Sequence, residues 1–190
     1  MVSNMEAVKK YEVNKILKII LISIFGTLLL TLSAKIKIPF YPVPMTMQTF
    51  VVLFLGITLG SKIGLLTVSL YLFEGIYGLP VFAGTPEKGV GLIYFTGPTM
   101  GYLLGFLVAV YVVGFLKYEK GLINNFFKLI FSVSFIYIFG MIWLGLLIGW
   151  EKPIFEIGAQ PFLLAELFKI LILLFLLPNL LKIKKLFKIT

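Results

Sequence analysis

Glu166 and Lys169 stand three residues apart in Pro161-Phe-Leu-Leu-Ala-Glu-Leu-Phe-Lys-Ile170, an otherwise apolar run. Residues at i and i+3 share one helix face, so a carboxylate acceptor and an ammonium donor sit side by side. Ionisable groups in such surroundings are costly and mark either function or mutual pairing. The pair can offer an acceptor and a donor to a polar ligand, or it can satisfy itself as a structural ion pair. With a helix starting at Pro161, the two groups lie about 8 and 12 Å below that end. Glu74 is the third ionisable group near an apolar run. Its simpler reading is an interfacial carboxylate bonded to the Gly-rich loop that follows; the other is ligand contact. Thr46 and Gln48 open a short apolar segment, where they line a site or cap the helix.

The missing residue types narrow the chemistry. The chain has no Cys and no His, its 17 basic residues are all Lys, and its 8 acidic residues are all Glu. Zinc and haem sites draw mainly on Cys and His, so no metal site is expected. His-based acid–base catalysis and the Ser-His-Asp and Cys-His pairs are equally out of reach. A small membrane enzyme would have a Glu–Lys pair as its whole catalytic kit, so the expectation is not an enzyme. A channel should show polar residues repeated along a pore face, whereas here they gather near one membrane face. A structural membrane subunit without a ligand remains the alternative. Gly56 to Lys62 approximates a phosphate-binding loop, but its spacing fails, so ATP hydrolysis is not expected of this chain.

These residues must be positioned by membrane helices. The 190 residues are 60% hydrophobic and 13% charged, with a mean hydropathy of +1.07. A soluble domain carries about 45–50% apolar and about 25% charged residues, so the expected solvent is lipid. Six apolar segments run from about Ile16 to Ala34, Met45 to Leu59, Ile63 to Tyr77, Tyr94 to Leu116, Phe126 to Trp150 and Pro161 to Leu177. The spacing predicts an all-α integral membrane protein, one domain of six transmembrane helices. Residues 1–15 read as a polar, frayed segment rather than a cleavable signal, and 182–190 as a Lys-rich tail. Pro39, Pro42 and Pro44 break the chain between the first two segments, and Gly60-Ser61-Lys62 turns it tightly between the second and third. Twelve lysines fall on the side of the N-terminus and four on the other, so both termini are expected to be cytoplasmic. The net charge of +9 is then a topology signal, with no nucleic acid implied. Gly97, Gly101 and Gly105 suit close helix packing within the chain, and Ser23 with Thr27 reads as a small-residue stripe facing another subunit.

Three motifs together resemble the BioY family, the biotin-specific S components of energy-coupling factor (ECF) transporters. They are Val43-Pro-Met-Thr-Met-Gln-Thr49, Gly78-Leu-Pro-Val-Phe-Ala-Gly84 and Thr96-Gly-Pro-Thr-Met-Gly-Tyr-Leu-Leu-Gly-Phe106. The resemblance covers about Ala34 to Leu177. It implies a six-helix vitamin-capture subunit of the plasma membrane that binds biotin from outside. It also implies partners: a transmembrane T component and ATP-binding-cassette ATPases. The family's Asp-x-x-Lys pair, which meets the biotin head group, is here Glu166-Leu-Phe-Lys169. Around it the expected contacts are Thr46, Gln48, Glu74 and the aromatic residues Tyr41, Phe82 and Tyr94 near the outer loops. Lys88 or loop N–H groups would meet the valerate carboxylate, and the Ser23–Thr27 stripe would dock the T component.

Overall fold

The computed structural model describes residues 2–38, 41–87, 89–119 and 121–186, with the backbone alone at 2–12 and 38. Helix α1, Val2–Lys35, runs without interruption because neither Gly nor Pro occurs before Gly26. The expected frayed segment is thus helical from Val2 onward. Two short strands follow, β1 (Lys37–Ile38) and β2 (Met45–Thr46), paired antiparallel with Lys37 opposite Thr46. This small hairpin occupies the proline-rich loop, where no strand was expected.

Helix α2, Gln48–Ile76, contains one non-helical residue, Gly60 at φ 79 and ψ 174. That backbone conformation is open to glycine and costly for other residues. It folds α2 into a helical hairpin. A Cβ built on Gly64 would lie 3.4 Å from the Gly56 Cα, although eight residues along a straight helix span about 12 Å. Gln48 likewise reaches Tyr71, 23 positions away, at 2.8 Å. The arms 48–59 and 61–76 are therefore separate crossings, as the Gly60-Ser61-Lys62 turn led us to expect.

The fourth expected segment divides. Gly91–Thr96 forms a 3-10 turn, Gly97 is extended, and α3 runs only from Met100 to Phe115. Pro98 lies in this break, where it cannot donate to a helix ladder. Helix α4 spans Leu122–Ile148. A short helix, α5 (Ile154–Gly158), and a 3-10 turn at Gln160–Phe162 lead into α6, Leu163–Leu186. Helix α6 passes through Pro178, where the sequence suggested a stop. Apolar residues on both sides of Pro178 pack into the core, Leu173, Leu174, Leu177 and Leu180 among them. Their burial outweighs the one backbone bond the proline removes.

Four stretches among the described residues are long and apolar enough to cross a membrane: Val13–Lys35, Gln48–Ile76, Leu122–Ile148 and Ile154–Leu186. With α2 counted as two arms and α3 added, six segments alternate in direction. Helix α3 is held on one side by α2 and on the other by α4. Gly105 allows the second contact: a Cβ there would stand 2.6 Å from the Ile136 Cα and 3.0 Å from the Phe135 carbonyl oxygen. These are backbone atoms and cannot rotate away. Gly105→Ala is therefore expected to lower stability by about 1–3 kcal/mol, read as a lower melting temperature in detergent. An unchanged melting temperature would show that α3 and α4 are not this close.

Candidate functional site

Helix α6 buries Glu166 and Lys169 at 5% and 6% exposure, against the first turns of α2 and the β2 strand. Lys169 Nζ donates to Glu166 Oε1 at 2.6 Å, to Thr49 Oγ1 at 2.9 Å and to the Thr46 carbonyl oxygen at 2.7 Å. An ammonium has three protons, so Lys169 is fully used by the protein. Thr49 accepts from Lys169 and donates its own proton to Glu166 Oε1 at 2.7 Å. Glu166 Oε1 is thus doubly bonded, while Oε2 is buried and makes no close hydrogen bond among the described residues. Among those residues the neighbouring Tyr137 phenol is the one side chain that also donates toward this carboxylate. A buried oxygen without a close hydrogen bond is uncommon in folded proteins and is a ready place for an incoming N–H.

The second polar group comes from α2. Gln48 Nε2 donates to the Tyr71 hydroxyl at 2.8 Å, and that hydroxyl donates to the Val81 carbonyl oxygen at 3.0 Å. Thr46 Oγ1 donates to Gln48 Oε1 at 3.3 Å. Behind them, the Phe82 ring stacks on Tyr94 with centroids 4.7 Å apart and meets Tyr71 edge-on at 5.3 Å. Val81 is therefore tied down from inside by Tyr71. From outside, Lys35 Nζ donates to the Phe82 and Thr85 carbonyl oxygens at 2.9 and 3.0 Å, and Lys37 Nζ donates to that of Ala83 at 3.0 Å.

Between these groups lies a cavity of about 530 Å³, counted to its open mouth. Thr46, Gln48, Thr49, Glu166 and Lys169 supply its polar side, and Tyr94, Tyr102, Phe106, Tyr137 and Phe162 its aromatic walls. Tyr102 is fixed by donating to the Gly158 carbonyl oxygen at 2.7 Å, and its ring meets Tyr137 edge-on at 6.2 Å. Tyr94 bonds to the Thr99 side chain and the Gly84 backbone, and burial pushes its phenol above the ordinary value. It stays a protonated donor at any physiological pH. Tyr137 and Glu166 also border an apolar groove of about 820 Å³ between α4 and α6. The arrangement suits a ligand with N–H donors at one end and an apolar body.

Of the residues singled out from the sequence, Thr46, Gln48, Tyr94, Glu166 and Lys169 meet at this cavity. Phe82 is buried but stands behind Tyr94 rather than among the lining residues. Tyr41 is 94% exposed and is not among the residues lining the cavity. Lys88 lies outside the described residues. Glu74 accepts from Thr27 Oγ1 at 2.9 Å, bonding to α1 rather than to the loop or the cavity. Ser23 and Thr27 are buried against α2, Ser23 sharing a hydrogen bond with Thr67 at 3.3 Å. The small-residue stripe is thus not on the free face of α1; it is occupied within the chain, because small side chains let α1 and α2 approach and bond. Thr49, Tyr102, Phe106 and Tyr137 were not singled out. The first three stand inside the recognisable motifs, so position in a motif was the available signal; for Tyr137 the sequence offers none.

The model of the BioY family matches residues 5–186. A biotin transporter BioY from Thermotoga maritima is 35% identical over 147 residues, 77% of this chain and 85% of that protein. A probable biotin transporter BioY from Pyrococcus horikoshii is 33% identical over 141 residues, 74% of this chain and 82% of that protein. In three dimensions the chain is similar to the crystallised S component for biotin from an ECF-type ABC transporter. The TM-score is 0.70 at 24% identity, covering 91% of this chain and 92% of that one, a likeness of fold. Nearly the whole chain is matched, from the polar N-terminal turn to the end of α6, and on that ground the chain belongs to the BioY family.

Proposed function

We propose that this chain is the substrate-binding membrane subunit of a biotin uptake system, taking biotin from outside into the cavity above Glu166. The observation that carries the reading is Glu166 Oε2, a buried acceptor with no close hydrogen bond and only the Tyr137 phenol beside it, at a mouth lined by aromatic rings. The ureido ring of biotin has two N–H donors and one carbonyl acceptor, and its sulfur ring is apolar. One N–H meets Glu166 Oε2, and the ring system lies among Tyr94, Tyr102 and Tyr137. Lys169 pairs with the carboxylate and holds it in place; to donate to the ligand as well it must release one of its three protein acceptors. The names of the relatives support the substrate. No phosphate-binding loop occurs in the sequence, so ATP hydrolysis falls to the partner ATPases of an ECF transporter, which act with its T component.

The direct test is ligand stabilisation of the detergent-purified chain. A ligand that binds only the folded state raises the melting temperature by mass action. Biotin is expected to raise it, with riboflavin, thiamine and folate giving little or no shift at equal concentration. A larger shift from any of those three would refute the substrate.

Capture from outside also fixes an orientation. The sequence has no Cys, so single cysteines report cleanly. Glu87→Cys, beside the cavity loop, is expected to react with an impermeant thiol reagent in intact cells. Glu119→Cys, between α3 and α4, is expected to be protected. The opposite pattern would invert the topology.

A further inference from the structure

Tyr71 does not line the cavity, yet it decides which end of the Gln48 amide does. The Val81 carbonyl oxygen can only accept, so the single Tyr71 proton is committed to it at 3.0 Å. The phenol oxygen must then accept from Gln48, and only the amide nitrogen can donate, which it does at 2.8 Å. Gln48 Oε1 is thereby turned to the other side, toward Thr46, and both residues line the cavity. Its one bond there is long, 3.3 Å, and a carbonyl oxygen accepts two. Tyr71 is fully buried and its ring is held edge-on to Phe82 at 5.3 Å, so the hydroxyl has no freedom to re-aim.

We propose that Tyr71 is a positioning residue that locks Gln48 with its carbonyl oxygen toward the ligand, making the site demand a second N–H. This rests on the biotin reading given above and deepens it. Two acceptors, Glu166 Oε2 and Gln48 Oε1, then meet the two ureido N–H groups. A ligand with a ring oxygen in place of the second N–H would set oxygen against oxygen in a buried site. If the amide were free it could flip and donate to that oxygen, and the selectivity would vanish. The lock is built from a backbone carbonyl, so it also ties the selectivity to the seating of residues 81–85.

The test compares three ligands of nearly equal shape: biotin and the two cyclic carbamates in which one or the other ureido N–H is replaced by oxygen. Affinities are measured on the wild-type chain, Tyr71→Phe and Gln48→Met. The wild type is expected to bind the carbamate that faces Gln48 about ten- to a hundredfold more weakly than biotin, as for a buried acceptor left unpaired. In Tyr71→Phe, which keeps the ring and its packing, that ratio is expected to fall below about threefold, with the other carbamate as strongly rejected as before. Gln48→Met should abolish the same ratio. Weakening of all three ligands by one common factor in Tyr71→Phe would assign Tyr71 a merely structural role and overturn the proposal. So would an unchanged ratio. If Tyr71→Phe does not fold, Gln48→Met decides alone: a ratio that survives without the amide overturns the proposal. A wild type that fails to bind biotin at all would sink the function, a distinct outcome from losing this ratio.

Discussion

Glu166→Gln is expected to weaken biotin binding by roughly ten- to two-hundredfold, the scale of a charge-assisted hydrogen bond of about 1.5–3 kcal/mol. The reason lies in which oxygen is already engaged. Thr49 and Lys169 both donate to the Oε1 position, at 2.7 and 2.6 Å. The amide must place its oxygen there, so its NH2 falls where Oε2 stood. An acceptor is replaced by a donor, and it faces the donor N–H of the ligand. A near-isosteric change thus removes the charge and also reverses the polarity of the bond. Equilibrium dialysis with labelled biotin would measure it; an affinity within twofold of wild type would mean that Glu166 does not read the ligand. Glu166→Asp, which keeps the charge, is expected to retain more affinity than Glu166→Gln.

Lys169→Met is expected to have the largest effect on the fold. It removes the three bonds from Nζ to Glu166, Thr49 and the Thr46 backbone. It leaves a 5%-exposed carboxylate without its counter-charge. Breaking a buried pair in this way costs about 3–5 kcal/mol. Because Thr46 belongs to β2, the same change also frees the β1–β2 hairpin from α6. Both the melting temperature and biotin affinity should therefore drop. The double variant, Glu166→Gln with Lys169→Met, contains no buried charge, so much of the lost stability should return. Binding should not return, because the acceptor is gone. A double variant that is stable and binds biotin normally would make the pair purely structural.

The parts of this design that depend on local chemistry were legible in the sequence. Apolar run lengths gave the crossings, Gly60 the hairpin in α2, and the i, i+3 spacing the Glu166–Lys169 pair. What escaped depends on contacts distant in the chain. Gln48 and Tyr71 are 23 positions apart, and Thr49 and Glu166 are 117 apart, so nothing local announces either bond. Ser23 and Thr27 carried the opposite lesson. Small polar residues at a four-residue spacing signal close approach, but not which neighbour approaches; here it is α2, through Thr67 and Glu74. Helix α6 continues past Pro178 for a related reason, since tertiary burial overrides a single missing backbone bond.

On the proposed function, one chain contains a complete biotin site. Isothermal titration of biotin into the purified chain, without T component or ATPases, tests it most directly. Saturable binding with one biotin per chain is the expected result. No heat of binding by the isolated chain, or binding that arises only when partner subunits are added, would contradict it.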